Sequence, residues 1–197
     1  MTAVVEPFRL PFTVLVDTAE GSPWTFDNIL ADADQDYRPL VVPWEYQSLG
    51  RFPLSRGDYS IQGFQHRIGI ERKSIEDFHS TFLGWQTKFE QSRGRAGHRQ
   101  RFEKELENLA AMEVGVVIVE ANMDQVLDEA PATEHKSAEE NRKTLHRSII
   151  SFQQTYKVPF SFCSSRRFAE THCLQHMIRF WRKHKKEFKA FTKLPYI

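Results

Sequence analysis

The segment of residues 68–78, IGIERKSIEDF, constrains the fold more strongly than any other part of the sequence. Its apolar beginning is typical of a buried strand, yet it continues directly into Glu71, Arg72 and Lys73. Burial of such charges is costly unless they pair with one another or bind a metal. Because a tight turn near Gly63 separates this segment from the preceding apolar run, the pattern predicts a β-hairpin whose charged residues lie at one edge of a sheet.

The hairpin predicts a chemical site as well as a fold. Asp58 begins the partner strand, so strand pairing would bring its carboxylate close to that of Glu71. Residues two apart on a strand share a face, so Lys73 points the same way as Glu71. Two adjacent carboxylates suit Mg²⁺, and a lysine beside them can hold or deprotonate a metal-bound water. An acid followed by acid-x-lysine is the arrangement of the PD-(D/E)xK nucleases, although the triplet alone is a weak signal.

The other hydrophobic patterns predict an α/β protein, a three-layer sandwich around a mixed central β-sheet. Ser22 followed by Pro23 is a helix-start signal and predicts a short helix, while Pro43 places its strand near a sheet edge or a bulge. Ser74 is the expected cap of a long helix. Strands are expected at 12–17, 39–49, 58–64, 67–73, 115–121 and 158–163, helices at 74–112, 139–156 and 166–189, and a polar loop at 128–138.

Length and composition exclude several classes of protein. A chain of 197 residues is long enough for one sizeable core, so a single domain is expected. No apolar run approaches the roughly 18 residues of a membrane span, and the N-terminal sequence lacks the features of a signal peptide. Cys163 and Cys173 give no disulfide framework, which favours an intracellular location.

The net charge of +1 conceals a strong asymmetry along the chain. Residues 138–197 contain 13 Lys and Arg against 4 Asp and Glu, whereas residues 1–137 contain 14 against 22. A basic C-terminal part of this kind indicates a face that meets a polyanion. A set of solvated helix faces is the alternative interpretation.

Three motifs then occur in a fixed order, and together they resemble the nuclease domain of the XPF family of structure-specific repair endonucleases. That family's pattern is V-D-x-x-E at a strand end, then G-D-Y, then E-R-K-S with an Asp four residues after the Lys. The sequence carries every element: LVDTAE at 15–20, GDY at 57–59 and IERKSIEDF at 70–78.

The resemblance covers roughly residues 12–185 and implies a restriction-endonuclease-like fold of the PD-(D/E)xK superfamily. It implies that residues 1–197 form one standalone nuclease domain, with a basic C-terminal helix over approximately residues 166–193. Family members usually carry a pair of helix-hairpin-helix modules after the nuclease domain, which grip the minor groove and mediate dimerisation. We expect none within this sequence, because it has no Gly-hairpin signature.

The resemblance also assigns roles to individual residues. Asp17, Asp58 and Glu71 would surround a Mg²⁺ or Mn²⁺ ion, and Lys73 would position the attacking water. Arg72 completes the expected catalytic set. For any one of these residues taken alone, a surface ion pair is the alternative, and such pairs contribute little energy.

Further roles for Arg72, Asp77 and Glu20 follow from the same resemblance. Arg72 would point to the other strand face, where it would hold a phosphate or brace Asp77 at the start of the next helix. Glu20, just beyond the first strand, would support the metal shell.

A basic segment follows the motifs, and two glycines interrupt it. Such a segment beside an active site suits capture of a DNA backbone, with a solvated helix or a disordered turn as the alternative. The candidate DNA-binding residues are Lys88, Arg93, Arg95, Arg99, Arg101 and Lys104.

The function expected from the sequence is a Mg²⁺-dependent DNA endonuclease that acts at branched or flapped DNA in repair or recombination. It would act as a homodimer or with a separate DNA-binding partner protein. The alternative is a non-catalytic DNA-binding or scaffold subunit of a nuclease complex, and a restriction-type enzyme is a third interpretation. Because degenerate partners tend to lose the acidic residues and all are present here, the sequence favours the active enzyme.

Overall fold

A computed structural model describes residues 6–50, 56–84 and 97–191 of the chain. Eight short strands are described in this part of the chain. In chain order they are β1 (Phe8–Arg9), β2 (Val14–Asp17), β3 (Leu40–Val41), β4 (Trp44–Gln47), β5 (Tyr59–Ile61), β6 (Ile68–Lys73), β7 (Val114–Val119) and β8 (Phe160–Phe162).

Six of these strands form one mixed sheet in the order β4-β2-β5-β6-β7-β8, and β1 and β3 pair separately. Strand β5 runs antiparallel to both of its neighbours, β2 and β6. The other neighbouring pairs of the six-stranded sheet are parallel. The central hairpin predicted from the sequence is therefore formed by β5 and β6.

Helices cover both faces of the sheet. They are α1 (Ile75–Phe82), α2 (His98–Ala110), α3 (Met123–Asp128), α4 (Ala138–Tyr156) and α5 (Arg166–Phe191), with a 3₁₀ turn at Ala33–Gln35. In the described part of the chain, none of these helices combines the length and apolar character needed to cross a membrane.

The two faces of the sheet bury two separate cores. Alternate residues of β7 show this division, because Val116 and Ile118 belong to the core beneath α5, whereas Val117 and Val119 belong to the core beneath α1, α2 and α4. All four side chains have no exposed surface. This arrangement confirms the predicted three-layer α/β sandwich around a mixed sheet.

Most of the predicted elements are present. Ser74 caps α1 as expected, since its Oγ accepts a hydrogen bond from the backbone N–H of Asp77 at 3.2 Å. The single helix predicted over 74–112 is replaced in the described residues by α1 and α2, and residues 85–96 lie outside the described part. Helix α3 was not predicted from the sequence.

The short helix predicted from Ser22 and Pro23 is wrong. Trp24 and Phe26 are only 1% and 2% exposed, and their backbone N–H groups donate to Tyr59 Oη and to the Glu170 carboxylate. Two core side chains at a spacing of two residues are incompatible with one helix face. Burial of these rings therefore overrides the capping preference of the local sequence.

The strand predicted over 39–49 is divided in two. Pro43 separates β3 from β4, and its carbonyl accepts a hydrogen bond from Val14 N at 2.8 Å. Strand β4 lies at the edge of the six-stranded sheet, as the proline predicted.

Candidate active site

The register of the sheet places three acidic residues side by side. Val16 pairs with Tyr59 and Tyr59 pairs with Ile70, so Asp58 lies between Asp17 and Glu71 at the ends of neighbouring strands. Residues directly opposite each other across antiparallel strands share a face of the sheet. The sheet therefore brings the three predicted carboxylates to one edge and one face.

The approach of Asp58 to β6 depends on the glycine that precedes it. Gly57 has φ = 85°, and a Cβ atom there would lie 2.7 Å from the carbonyl oxygen of Ile70. Only glycine tolerates both this conformation and this proximity. The Asp58 N–H then donates to the same carbonyl at 2.8 Å, which fixes the start of β5 against β6.

Asp58 is held by the backbone and repelled by Glu71. One Asp58 oxygen, Oδ2, accepts a hydrogen bond from Arg72 N at 2.7 Å. Burial raises the pKa of Asp58 well above its usual range, the charge of Glu71 raises it further, and the Lys73 ammonium opposes both effects. Glu71 itself is only 4% exposed. Because the charge of Glu71 acts on Asp58 in a partly desolvated setting, binding of a proton or a cation between the two carboxylates is favoured.

Lys73 lies within this carboxylate cluster. Its Nζ atom is 2.7 Å from Glu71 Oε1, 3.9 Å from Glu105 Oε2 and 4.9 Å from the centre of the Phe102 ring. Burial lowers the pKa of Lys73, but the charges of Glu71, Glu105 and Asp58 more than offset this and hold it above its usual value. The side chain is therefore a charged hydrogen-bond donor at neutral pH.

Glu105 is the residue of this cluster that the sequence analysis missed. It extends from α2 one turn after Phe102, and its carboxyl group is hydrogen-bonded to that of Glu71. Burial raises the pKa of Glu105 to about 8, with the charge of Glu71 as the next largest cause. Helical periodicity could have identified Glu105, because a residue three positions after the buried Phe102 lies on the same face of the helix.

Arg72 points to the opposite face of the sheet and is engaged by carboxylates. Its Nε and Nη2 atoms donate to the two oxygens of Glu120, both at 2.8 Å, and Nη1 donates to Glu20 at 3.2 Å. Trp24 Nε1 also donates to Glu120, at 2.6 Å. Among the contacts of the described residues, Arg72 braces Glu120 rather than Asp77.

Asp77 and Glu20 each satisfy nearby groups of the chain. The Asp77 carboxylate accepts a hydrogen bond from Ser74 Oγ at 3.3 Å. Glu20 Oε1 accepts from the N–H of Ser22 at 2.7 Å as well as from Arg72. Their predicted supporting roles, for Glu20 at the metal shell and for Asp77 at the start of α1, stay predictions.

The Asp17 carboxylate is engaged by the backbone. Its Oδ1 accepts from Ala19 N at 2.7 Å and its Oδ2 accepts from Leu49 N at 2.9 Å, and the residue is only 6% exposed. These bonds hold the turn after β2 and the chain that leaves β4. Asp17 therefore lies beside Asp58 in the sheet and fixes local structure with both of its oxygens, and its predicted place at the metal stays a prediction.

The residues present fit a hard divalent cation held by few protein ligands. Within residues 6–50, 56–84 and 97–191, no three His, Cys, Asp or Glu side chains are grouped closely enough to hold a metal by themselves. Asp58 and Glu71 form a repelling pair of carboxylates, and Mg²⁺ commonly uses one or two carboxylates with waters and substrate phosphates. The pair therefore suits Mg²⁺ better than it suits a metal that needs a full set of protein ligands.

Half of the predicted DNA-binding residues lie outside the described part of the chain, namely Lys88, Arg93 and Arg95. Arg99 packs over the Phe152 ring at 4.7 Å and pairs with Glu103 at 3.2 Å. Lys104 pairs with Glu107 at 2.6 Å, and Arg101 lies near enough to Glu105 to lower its pKa. These three lie on α2 beside the carboxylate cluster, and their contact with DNA stays a prediction.

The basic helix α5 uses several of its cations within the protein. Arg166 pairs with Glu120 at 3.2 Å, Arg182 with Asp32 at 3.1 Å and Lys183 with Glu113 at 2.6 Å. Each of these acids belongs to the acidic part of the chain, residues 1–137. The charge asymmetry therefore reflects, in part, the packing of α5 on the rest of the fold.

The chain is similar to known proteins in sequence and in fold. The ERCC4 domain model matches residues 36–172. A solved structure of XPF from Aeropyrum pernix in complex with DNA is 16% identical, with a TM-score of 0.50, over 87% of this chain and 66% of that chain. A second structure of XPF from Aeropyrum pernix is 16% identical, with a TM-score of 0.49, over 94% of this chain and 75% of that one.

The structural matches cover part of the XPF structures at low sequence identity. The chain spans 66% of the length of the DNA-bound XPF structure, and at 16% identity the likeness concerns the fold. No curated protein matches the sequence significantly.

Asp58 and Asp17 are expected to respond in opposite ways when each is changed to asparagine. The folded-state pKa of Asp58 is raised, so its stabilising contribution is present in acid and is lost as the pH rises through that pKa. Asp58→Asn removes the repelled charge and keeps an oxygen for Arg72 N, so the free energy of unfolding at mildly alkaline pH should stay equal or rise.

Asp17→Asn is the matched control. It places an amide NH₂ against one of two buried N–H groups, which should cost about 1–3 kcal/mol. Urea denaturation of the metal-free variants in acid and at mildly alkaline pH measures both effects. Equal destabilisation by the two substitutions would contradict the assignment of Asp58 as the strained carboxylate.

Proposed function

Because the chain belongs to the ERCC4 domain family of DNA nucleases of the repair type, we propose that it is a divalent-metal-dependent endonuclease that cuts branched or flapped DNA. This family membership agrees with the XPF-type motifs of the sequence. The proposed reaction is hydrolysis of a phosphodiester bond with Mg²⁺ or Mn²⁺ as the cofactor. We place the activity inside the cell, in DNA repair or recombination.

One observation carries this proposal. Asp58 and Glu71 follow the paired residues Tyr59 and Ile70 at the end of the β5–β6 hairpin, near enough for the Glu71 charge to raise the pKa of Asp58, and Lys73 Nζ lies 2.7 Å from Glu71. A pair of carboxylates that can hold a divalent cation, with an adjacent ammonium, can support hydrolysis of a phosphodiester, because the reaction needs an activated water and positive charge near the phosphate oxygens that gain charge.

The side chains divide this work between them. Asp58 and Glu71 would hold the divalent cation, which supplies Lewis-acid activation of water and phosphate when it is bound. The Lys73 ammonium, held charged by its carboxylate neighbours, would donate a hydrogen bond to the attacking oxygen or to the phosphate oxygen that gains charge.

Arg72 has a different role in this proposal. Its guanidinium ties the end of β6 to Glu120 after β7 and to Glu20 after β2, and its side chain is 8% exposed. Buried ion pairs of this geometry fix structure, and loss of one partner leaves uncompensated charge. We therefore assign Arg72 to the support of the hairpin that carries Asp58 and Glu71.

Lysine and arginine side chains would bind the DNA through its phosphates rather than by reading its bases. One similar structure, XPF from Aeropyrum pernix, is a complex with DNA. Arg101 and Lys104 lie on α2, the helix that also carries Glu105 of the carboxylate cluster. Phosphate contacts position a protein without reading sequence, so binding should lack sequence preference and weaken with salt. A homodimer or a separate DNA-binding partner would supply further grip on a junction.

Glu71→Gln should abolish cleavage. The substitution removes one of the two carboxylates that would hold the cation and keeps the fold intact. The cleavage rate should therefore fall at least about a hundredfold. The measurement is cleavage of labelled flap, fork, bubble and duplex DNAs with and without Mg²⁺ or Mn²⁺. Glu45→Gln is the matched control, because Glu45 lies exposed on edge strand β4, where its carboxylate accepts a hydrogen bond from Gln62 at 3.0 Å.

The two arms of this experiment have different consequences. Cleavage by Glu71→Gln at the wild-type rate would contradict the assigned site. No cleavage of any substrate by the wild-type protein in either metal would favour the alternative, a non-catalytic DNA-binding or scaffold subunit.

Lys73→Ala and Arg72→Ala should separate catalysis from structure. Lys73→Ala should lower turnover by about 10²–10³-fold while the affinity for DNA, measured in Ca²⁺, changes little. Arg72→Ala should lower the free energy of unfolding by about 3–5 kcal/mol, because Glu120 and Glu20 lose their buried partner. Equal losses of DNA affinity in both variants, with stability unchanged, would instead make both residues phosphate contacts.

A further inference from the structure

Helix α5 carries two half-buried histidines one turn apart, in the sequence HCLQH. His172 and His176 are four residues apart, a spacing that brings side chains together on one face of a helix. Their Nε2 atoms lie 3.3 Å apart, and the two rings are nearly perpendicular, at 86°. Two ring nitrogens that can each bind a metal therefore lie side by side.

The distance between these nitrogens matches a tetrahedral metal centre. Zinc binds histidine nitrogen at about 2.0–2.1 Å, so two nitrogens on one tetrahedral zinc ion lie about 3.3–3.4 Å apart. In the metal-free protein the same two atoms form a long hydrogen bond, in which one Nε2–H donates to the other Nε2. A bound ion would replace that bond, and the donor ring would carry its proton on Nδ1 instead.

The protonation state of the two rings suits metal binding. Burial lowers the pKa of His172, and burial together with the neighbouring His172 lowers the pKa of His176. A histidine must be unprotonated to bind a metal. Both rings are therefore ready to bind an ion at neutral pH.

An open cavity of about 390 Å³ beside the two rings has room for further ligands. A tetrahedral ion held by two histidines keeps two positions for water or a small anion. The other residues that line the cavity are Val114, Gln175, Arg179, Phe180 and Lys183. The Arg179 and Lys183 cations favour an anion such as chloride among these further ligands.

Cys173 is not a ligand, although it lies between the two histidines in sequence. Its side chain has no exposed surface and packs in the core beneath α5, and burial raises the pKa of its thiol well above the usual value. In the described part of the chain, no three His, Cys, Asp or Glu side chains are close enough together to hold a metal. The chain therefore supplies two ligands at this place.

We propose that His172 and His176 form a binding site for a transition-metal ion such as Zn²⁺, Ni²⁺ or Cu²⁺, with solvent or a small anion completing the coordination. Imidazole suits these metals, whereas carboxylates suit Mg²⁺ and Mn²⁺. The site also lies apart from the predicted catalytic residues. Val114 beside the histidines begins β7, whereas Lys73 pairs with Val119 at the other end of that strand.

An ion at this site would stabilise the middle of α5. The opposite face of the same turns packs in the core, where Cys173, Leu174 and Met177 are at most 1% exposed. An ion bound to both histidines ties one turn of the helix together. Because the unfolded chain does not hold the two rings side by side, the ion binds the folded protein preferentially and stabilises it.

Zinc titration followed by NMR of the histidine rings tests the site directly. The ring nitrogen signals of His172 and His176 should shift and saturate at one ion per chain, while that of His146, which is exposed on α4, should not. Saturation at one ion per two chains would mean that a second copy supplies ligands. Either that stoichiometry or unshifted signals of His172 and His176 would overturn the proposal.

Calorimetric titration with Zn²⁺ in excess Mg²⁺ measures the contribution of each ring. His172→Ala and His176→Ala should each weaken zinc binding at least about tenfold, because one protein ligand is left. Alanine favours a helix more than histidine does, so both variants should fold. The matched control, His146→Ala, should bind zinc as the wild-type protein does. Equal affinity in all four proteins would contradict the proposed site.

Thermal unfolding gives an independent readout. Zinc at a hundredfold excess over its Kd should raise the Tm of the wild-type protein by about 5–10 °C. The same zinc concentration should leave the Tm of His172→Ala nearly unchanged, whereas His146→Ala should respond as the wild-type protein does. A rise of equal size in His172→Ala would place the stabilising ion elsewhere and overturn the proposal.

Discussion

The pairing of β5 with β6 is the interaction on which the rest of the site depends. The Asp58 N–H donates to Ile70 O at 2.8 Å, and the Arg72 N–H donates back to the Asp58 carboxylate at 2.7 Å. These two bonds fix the register that brings Asp58 beside Glu71, since they join Asp58 to the residues on either side of it, and a slip of one residue would send every side chain of β6 to the other face. Gly57 is necessary for the approach, because a side chain there would meet the backbone of Ile70.

Alternation along β6 then separates two kinds of charge. Glu71 and Lys73 face the helical layer that contains α2, where they form a cluster that suits a cation and a phosphate. Arg72 faces the opposite layer, where Glu120 and Glu20 neutralise it. Three consecutive charged residues can therefore occupy a buried strand, because alternation places them on two faces and each face supplies side chains of opposite charge.

The sequence predicted those parts of the structure that depend on short-range pattern. The hairpin, the cap at Ser74 and the buried strand β7 follow from alternation, capping chemistry and apolar runs. The predicted helix at Ser22 failed because the fit of Trp24 and Phe26 into the core, which is a property of the whole fold, outweighs a local preference.

Within the site, the same limit applies. Asp58, Glu71 and Lys73 are brought together by one hairpin, so their proximity could be predicted from their spacing. Glu105 and Glu120 come from α2 and from the end of β7, and their approach depends on how those elements pack on the sheet. The charge asymmetry could not be assigned from sequence to a polyanion-binding face or to a solvated one. Ion pairs such as Lys183 with Glu113 form only when α5 packs against the rest of the fold.

The central claim is that the hairpin creates one cation site between Asp58 and Glu71. Crystals of the protein soaked in Mn²⁺ and measured at the manganese absorption edge test it most directly. The account predicts an anomalous peak about 2 Å from an oxygen of each of the two carboxylates. A peak bound by other residues, with none between Asp58 and Glu71, would contradict it.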